Sequence, residues 1–501
     1  MTSLAQKLSN SSFYRMCEFF AGLLVGFFLM PFVIESLGDR LYGLWILIGS
    51  FLGYYGLFDL GLTSAIQRYM SKAIGQGDKQ EINIIFNTFM FLFLGIGALT
   101  LFITVLVTAF APLVFKKISD LILFRQVMVI LGLNYAINFP MRVMAGMLES
   151  SLRFDVPSKV ELVKIFFRTV FVVIVLKAGY GILGLAVVNL TVNALSQTAV
   201  FIWTLRLNPD LVFSRELVDL QRIKSFFQYS FVSFIGTLAE QLRFNVSNFV
   251  IAGFLGLSAV TLYSVASRLP GYFVNFFSYS FGILTPVFSQ YEGRGDFKSI
   301  RDKFLSLTKL SSYISIFLGA AIIIFGKAIL ERWVGPRFAP AYPLMILFCI
   351  PLTLSMMQRP TGSVLFGISK HKILMVTNLA EGVINLILAL ILINTYELTG
   401  VVLAMAIPMV ITKLIIQPVY VCRVIKLSLG EYYIRLMGPI VLKSTAVILV
   451  LWLLTKSFIL PNYFSIILLG SVYTAVFGVF VFFWGLDQTE RGTFKKLLRG
   501  R

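Results

Sequence analysis

Long apolar runs separated by short polar segments fill almost the whole chain. Each approaches the roughly 20 residues that an α-helix needs to cross a hydrocarbon core of ~30 Å. The pattern predicts fourteen spans, near residues 13–34, 43–64, 84–108, 126–148, 160–177, 182–204, 229–252, 258–286, 308–326, 343–366, 373–394, 397–421, 434–455 and 463–485. A membrane β-barrel would show alternating strands of about ten residues, and these runs are continuous instead. No small-residue cleavage site follows the first run, which reads as a retained helix rather than a signal peptide.

Within this pattern one phrase occurs twice. Gly75-Gln76-Gly77-Asp78, with Ile82 following, returns as Gly293-Arg294-Gly295-Asp296, with Ile300 following, each time between two apolar runs. The stretch from Arg142 to Leu148, then Arg153, is answered by Arg359 to Leu365, then Lys370. Leu37-Gly38 and Tyr42, where span two begins, are echoed by Leu255-Gly256 and Tyr263, where span eight begins. The repeat unit is therefore six spans. An even number makes both copies enter the membrane in the same sense, about an axis along the membrane normal. The predicted architecture is an all-α polytopic membrane protein with two pseudo-symmetric six-helix lobes, residues 1–210 and 211–428. Two extra helices and a basic tail follow in 429–501. Duplicated bundles of this kind point to transport.

Composition agrees with the class: mean hydropathy is +0.87 and only 13% of residues are charged, against about 25% in soluble domains. The net charge of +20 is explained by its distribution. With the first loop assigned to the outside, the inner segments hold 28 of the 43 basic residues, among them Lys164, Arg168 and five in the tail from Arg491 to Arg501. The outer segments hold nine, including Lys116 and Lys117. The positive-inside rule then puts both termini in the cytoplasm. Basic inner loops facing anionic lipid account for the charge without nucleic acid. Cys17, Cys349 and Cys422 are odd in number and scattered, and His371 stands alone between Lys370 and Lys372. No disulfide framework, metal spacing or catalytic cluster is legible. No P-loop signature appears, so direct use of ATP is not expected.

Four further phrases stand out: Gly56-Leu57-Phe58-Asp59-Leu60-Gly61-Leu62 with Arg68-Tyr69, Leu262-Tyr263-Ser264-Val265-Ala266-Ser267-Arg268, Thr285-Pro286-Val287-Phe288-Ser289, and Trp333-Val334-Gly335 with Phe338 and Ala341. With these phrases the chain, over roughly residues 10–425, resembles the polysaccharide exporters of the multidrug, oligosaccharidyl-lipid and polysaccharide exporter superfamily. The resemblance implies a MATE-like pair of lobes around a central cavity, rocking between inward-open and outward-open states. It implies a flippase for polyprenyl-(pyro)phosphate-linked oligosaccharides in the bacterial inner membrane, with no cofactor. A polysaccharide polymerase and glycosyltransferases would be its partners. Lipid II flippases of the same superfamily place several arginines in their first two spans. Here only Arg15, with Glu18 one turn on, sits there, which favours an O-antigen, capsular or exopolysaccharide unit.

Such a substrate joins an anionic phosphate to a hydrophilic glycan and an apolar tail. Its passage needs a wet, partly cationic cavity. Six basic residues fall inside spans: Arg142, Arg243, Arg268, Arg359, Lys413 and Lys443. Each costs about 2.5–3.5 kcal/mol at bilayer depth and should face a cavity or a partner. The acids at similar depth are chiefly Asp59, Glu240 and Glu381, so the interior is net basic and suits an anion. In span seven Glu240, Arg243 and Ser247 share a helical face, with Asn248 nearby; in span eight Ser264, Arg268 and Asn275 do. Candidate substrate contacts are Arg268, Arg243, Ser264, Asn275, Arg359 and Arg142, with Glu240 as the coupling carboxylate beside Arg243.

Plainer readings stand beside these. Glu240 and Arg243 can form an intrahelical ion pair, and Arg142 and Arg359 can snorkel to headgroups. Gly49, Gly53 and Gly56 can serve helix packing alone. Asp59 can cap or pair locally. Tyr272, Phe273, Phe276, Phe277 and Tyr279 can stack on sugars or pack. A multidrug cation antiporter of the same fold is opposed by the basic excess. A membrane glycan polymerase or ligase is opposed by short outer loops without histidine or paired carboxylates. The orientation predicts that a reporter fused after Gly335 reports outside and one after Arg501 inside; the opposite result at either position contradicts it.

Overall fold

The computed structural model describes residues 4–114, 120–281, 284–456, 462–488 and 490–492. Lys116, Lys117 and the basic tail from residue 493 onward lie outside the described residues. Every regular element among the described residues is helical. Among the described residues nine helices are long and apolar enough to cross a membrane. Two of these are kinked: Phe13–Asp59 at Gly38 (φ 73°, ψ 165°) and Lys372–Val424 at Glu397 (φ 48°, ψ −131°). The first half of α1 (Leu4–Tyr55) leaves Phe13, Phe20, Leu24 and Phe28 exposed, as expected where lipid replaces water around the helix. The predicted stretches at 160–177, 229–252 and 258–286 fall on less apolar helices: α5 (Asp155–Lys177), α7 and α8 (Leu220–Phe244, Val246–Phe254), and α9 and α10 (Leu257–Phe281, Thr285–Gly293).

The duplication is written into the backbone. Left-handed residues recur 217 or 218 positions apart: Gly38 with Gly256, Gly77 with Gly295, Leu152 with Ser369, and Gly179 with Glu397. Arg153 N donates to Leu148 O (2.9 Å), and Lys370 N donates to Leu365 O (2.8 Å), at the same offset. The repeated Gly-x-Gly-Asp phrase is a helix-to-helix corner. α2 (Leu62–Gln76) ends on Gly77 with φ 70°, and α10 is followed by Gly295 with φ 69°, a region open to glycine without a Cβ clash. The aspartate then caps the next helix. Asp78 accepts from Glu81 N (2.9 Å) at the start of α3 (Lys79–Val114). Asp296 accepts from Ser299 N (3.0 Å) at the start of α11 (Phe297–Trp333). The Ser299 hydroxyl and backbone N–H hold the Asp296 carboxyl below its ordinary range, because they favour the charged form.

The chain separates into two compact units, Met1–Thr261 and Leu262–Arg501. The first is cored by Phe86, Phe89, Phe93, Phe139 and Phe226, with Phe89 and Phe226 stacked at 4.3 Å. In the second, Phe304 stacks on Tyr432 at 6.0 Å among Met357, Val364 and Val421. The segment after α6 (Gly181–Leu207) is strapped along α3 by side chains that act as a strand edge. Asn83 accepts from Val212 N (2.8 Å), and Asn87 donates to Val212 O (2.8 Å) and accepts from Ser214 N (3.0 Å). Thr88 accepts from Asp219 N (3.0 Å). This strap keeps α7 within the first unit.

A Cβ at position 295 would meet nothing within 4 Å. Gly295→Val therefore costs only the strain of a Cβ in the left-handed region, about 1–2 kcal/mol, and Asp296→Ala loses the cap of α11. Both should lower the thermal midpoint of the purified protein. The Asp296→Ala difference should close as pH falls through the depressed Asp296 value, since the cap is present above the unfolded carboxylate pKa and lost on protonation. A difference that persists in acid contradicts the assignment.

Candidate functional site

Three consecutive helices of the first unit carry polar residues four apart on facing stripes. α4 (Leu121–Ser150) presents Asn134, Asn138 and Arg142. α5 presents Lys164 and Arg168, and α6 presents Asn189, Asn193 and Gln197. Four-residue spacing stacks side chains on one helical face, and the three faces enclose a cavity of about 370 Å³. Arg168 lies 13 residues beyond Asp155, roughly 20 Å along the helix at ~1.5 Å per residue. Arg168 is therefore near the middle of α5, away from both of its ends.

The amides form a lattice. Asn193 donates to Asn134 (2.7 Å) and to Asn138 (2.8 Å), and Gln197 donates to Asn138 (2.9 Å). The cations are held differently. Arg142 sits 3.2 Å from Asp59 and 4.9 Å from the Phe139 ring centre. Lys164 pairs with Glu161 at 2.8 Å. No ion pair or hydrogen bond to Arg168 occurs among the described residues. Asp59 reaches Arg142 from the turn Gly56–Asp59, where Leu60 (φ 51°) and Gly61 (φ 77°) are both left-handed. The Asp59 carboxylate accepts from Thr63 N (3.1 Å) and Thr63 Oγ1 (3.0 Å), which caps α2. Asp59 thus caps and pairs at once, and Arg142 lines a cavity rather than reaching for headgroups.

The other predicted residues lie elsewhere. Glu240 is exposed on α7 and forms no ion pair with Arg243 among the described residues. The Arg243 guanidinium lies 4.8 Å from the Phe244 ring centre. The plainer reading of an intrahelical ion pair between them is therefore not what the described residues show. The face expected to run on to Ser247 is interrupted at Asn245. Ser247 is buried, and Asn248 donates to Ser50 (2.8 Å), which is packing against α1. In the second unit Arg268 and Asn275 are exposed on α9 and Ser264 is half-buried. Arg268 donates to the Tyr272 hydroxyl (3.2 Å). Arg359, first residue of α13 (Arg359–Gly367), donates to Ser278 of α9 (3.2 Å), which ties it to the helix of Arg268 and Asn275.

Two further expectations change. Of Gly49, Gly53 and Gly56, only Gly53 is close to a neighbour: an added Cβ would lie 3.1 Å from Gln241 Oε1. The tight approach is at Gly43, against the Leu257 carbonyl. Phe273 and Phe277 are buried in ring contacts 5.3 Å apart, which is packing; the Tyr279 side chain lies outside the described residues. Lys164 and Arg168, assigned to an inner segment on sequence, are on α5 and line the cavity.

The equivalent place in the second repeat is closed. Positions 217 beyond Lys164 and Arg168 are Glu381 and Asn385, on α14 (Lys372–Ile411). Glu381 pairs with Lys413 at 3.4 Å, and their side chains are 2% and 8% exposed. Lys413 also donates to Asn378 (3.2 Å) and Gln417 (3.1 Å), and Thr412 donates to Glu381. Lys413 lies in a π-helical turn, Thr412–Ile416. One repeat keeps an open cationic cavity, and the other fills the same place with its own ion pair.

The polysaccharide biosynthesis protein family matches residues 58–343. The chain belongs to that family. Its match to the uncharacterized membrane protein EpsK of Bacillus subtilis is 21% identical and covers 97% of each chain. The structure of the lipid II flippase MurJ in an inward closed conformation superposes with a TM-score of 0.73 at 16% identity, over 94% of this chain and 98% of that one. An inward-facing multidrug resistance MATE family transporter superposes with a TM-score of 0.70 at 17% identity, over 82% and 94%. The fold of this family member is the one shared by MurJ and the MATE transporter.

Interhelical hydrogen bonds inside membranes average roughly 0.6 kcal/mol, with a maximum near 1.7. Asn193→Leu removes two such bonds and should destabilise the purified protein by about 1 kcal/mol. Asn189 donates only to Leu185 O of its own helix (2.9 Å), so Asn189→Leu should leave the thermal midpoint nearly unchanged. Equal effects of the two substitutions would contradict the lattice.

Proposed function

We propose that this protein is a flippase for a polyprenyl-(pyro)phosphate-linked oligosaccharide. It moves an O-antigen, capsular or exopolysaccharide unit across the bacterial cytoplasmic membrane by alternating access. The observation that carries the reading is the open cavity on α4, α5 and α6, with Arg168 at its wall midway along α5. A guanidinium there suits a phosphate or a carboxylate by two parallel hydrogen bonds. Asparagine and glutamine amides can donate to and accept from sugar hydroxyls. A cationic drug would meet like charge in the same place. The fold shared with MurJ and the family match support the reading.

The topology that serves this function has fourteen crossings with both termini cytoplasmic. Its substrate would come from membrane glycosyltransferases and pass to a polymerase on the outer face. Arg268 and Arg359 of the second unit are proposed as further contacts to the anionic head, with Ser264, Asn275 and Arg243 on their flanks.

Arg168→Ala should stop glycan export and cause the lipid-linked oligosaccharide to accumulate, while the protein level in the membrane is unchanged. A charge-assisted hydrogen bond contributes ~1.5–3 kcal/mol, so the export rate should fall roughly ten- to hundredfold. Arg168→Lys should keep partial function, because a point charge attracts phosphate without the fork geometry. Arg268→Ala is expected to behave like Arg168→Ala. Near-normal export by well-expressed Arg168→Ala would overturn the proposal.

A further inference from the structure

The helices that wall the polar cavity carry a second cavity on adjoining faces. It lies between α5 and α6, measures about 510 Å³, and is walled by Val163, Phe167, Phe171, Leu195, Ala199 and Trp203. Along α5 it runs from Lys159 to Phe171, roughly 18 Å at ~1.5 Å per residue. That is more than half of a hydrocarbon core of ~30 Å. Its walls are apolar, and its charged lining residues among those described are Lys159 and Lys164. Both sit in the half of α5 that begins at Asp155. Lys159 lies 3.2 Å from Asp155, and Lys164 lies 2.8 Å from Glu161.

Lys164 and Val192 line both cavities. The amide-rich cavity and the apolar groove therefore meet at a lysine. That division matches an amphiphile with three parts: glycan to the amides, phosphate to the ammonium, hydrocarbon to the groove. An apolar groove without cations would hold any lipid chain. The groove between α16 (Gly438–Lys456) and α17 (Tyr463–Phe480) in the second unit is of that kind, with no charged residue in its lining among the described residues. The groove on α5 and α6 differs by its two lysines and by its continuity with the polar cavity.

We infer that the α5–α6 groove seats the polyprenyl chain of the lipid-linked oligosaccharide, with its phosphate at Lys164. The inference rests on the flippase reading above. The phosphate replaces Glu161 as the partner of Lys164, and no bond is made or broken. The branched, unsaturated chain lies against Phe167, Phe171 and Trp203.

The test places benzoylphenylalanine at Ala199 of the full chain, and separately at Val450 in the α16–α17 groove, in vesicles containing polyprenyl monophosphate and phosphatidylglycerol in equal amounts. Illumination should give polyprenyl phosphate adducts at position 199, at least about tenfold above those at position 450, and Lys164→Gln should remove the difference. Phosphatidylglycerol adducts alone, or equal adducts at both positions, overturn the inference. Ala199→Trp fills the groove and serves as a second readout, expected to slow translocation several-fold at an unchanged thermal midpoint; a wild-type rate in that variant also overturns it. If Arg168→Ala stops export while Ala199→Trp does not slow it, the groove assignment falls and the flippase reading stands. If the wild-type protein moves no lipid-linked glycan at all, both fall.

Discussion

A guanidinium midway along α5, on the wall of a cavity and with no carboxylate paired to it among the described residues, is the constraint on which the rest of this molecule depends. At helix-centre depth a bare cation costs about 2.5–3.5 kcal/mol on insertion scales, so polar surface must be gathered around it. Here the amides of Asn134, Asn138, Asn193 and Gln197 supply that surface, and their mutual hydrogen bonds keep them satisfied without a ligand. Arg142 and Lys164 are neutralised by Asp59 and Glu161. The local balance leaves the positive charge of Arg168, which is what an anionic head requires.

The two repeats meet the same constraint in opposite ways. Their backbones correspond down to left-handed residues at matching offsets, yet the side chains at the cavity differ in charge: Lys164 answers to Glu381 and Arg168 to Asn385. Where the first repeat has Lys164, the second has Glu381, and Lys413 fills the space beside it. A buried pair of this kind is weak evidence for stability, because desolvation offsets much of the attraction. Its clear consequence is electrostatic: the two buried charges, Glu381 and Lys413, neutralise one another. Duplication thus supplied the scaffold, and divergence of a few polar residues left a cationic cavity in one repeat and a buried ion pair in the other.

Much of the fold is legible from residue types. The Gly-x-Gly-Asp phrase contains both a left-handed helix stop and an aspartate cap, so its recurrence marked equivalent corners. The glycines at 38 and 256 marked equivalent kinks. The cavity was less legible because attention to charge alone passes over asparagine. Asn134, Asn138 and Arg142, and then Asn189, Asn193 and Gln197, stand four apart on two neighbouring helices, and that double stripe is visible in the sequence. Lys164 and Arg168 were obscured because a charged helix start resembles an inner loop. The spacing of Glu240 and Arg243 allowed a pair, but spacing does not fix rotamers, and Arg243 lies against Phe244 instead. The strap of residues 208–219 on α3 depends on contacts between segments more than a hundred residues apart, which local pattern does not reveal.

The central claim is that the first repeat holds an open, water-filled, cationic cavity and the second does not. Cysteine accessibility tests it most directly, in a chain whose Cys17, Cys349 and Cys422 are replaced. Ala145→Cys places a thiol in the lining of the first cavity, and Thr377→Cys places one in the buried polar cluster of the second repeat. The account predicts that an anionic methanethiosulfonate labels position 145 faster than a cationic one, that Arg168→Gln removes this preference, and that position 377 reacts with neither. Equal or faster labelling of position 145 by the cationic reagent, or labelling at position 377 as fast as at 145, would contradict it.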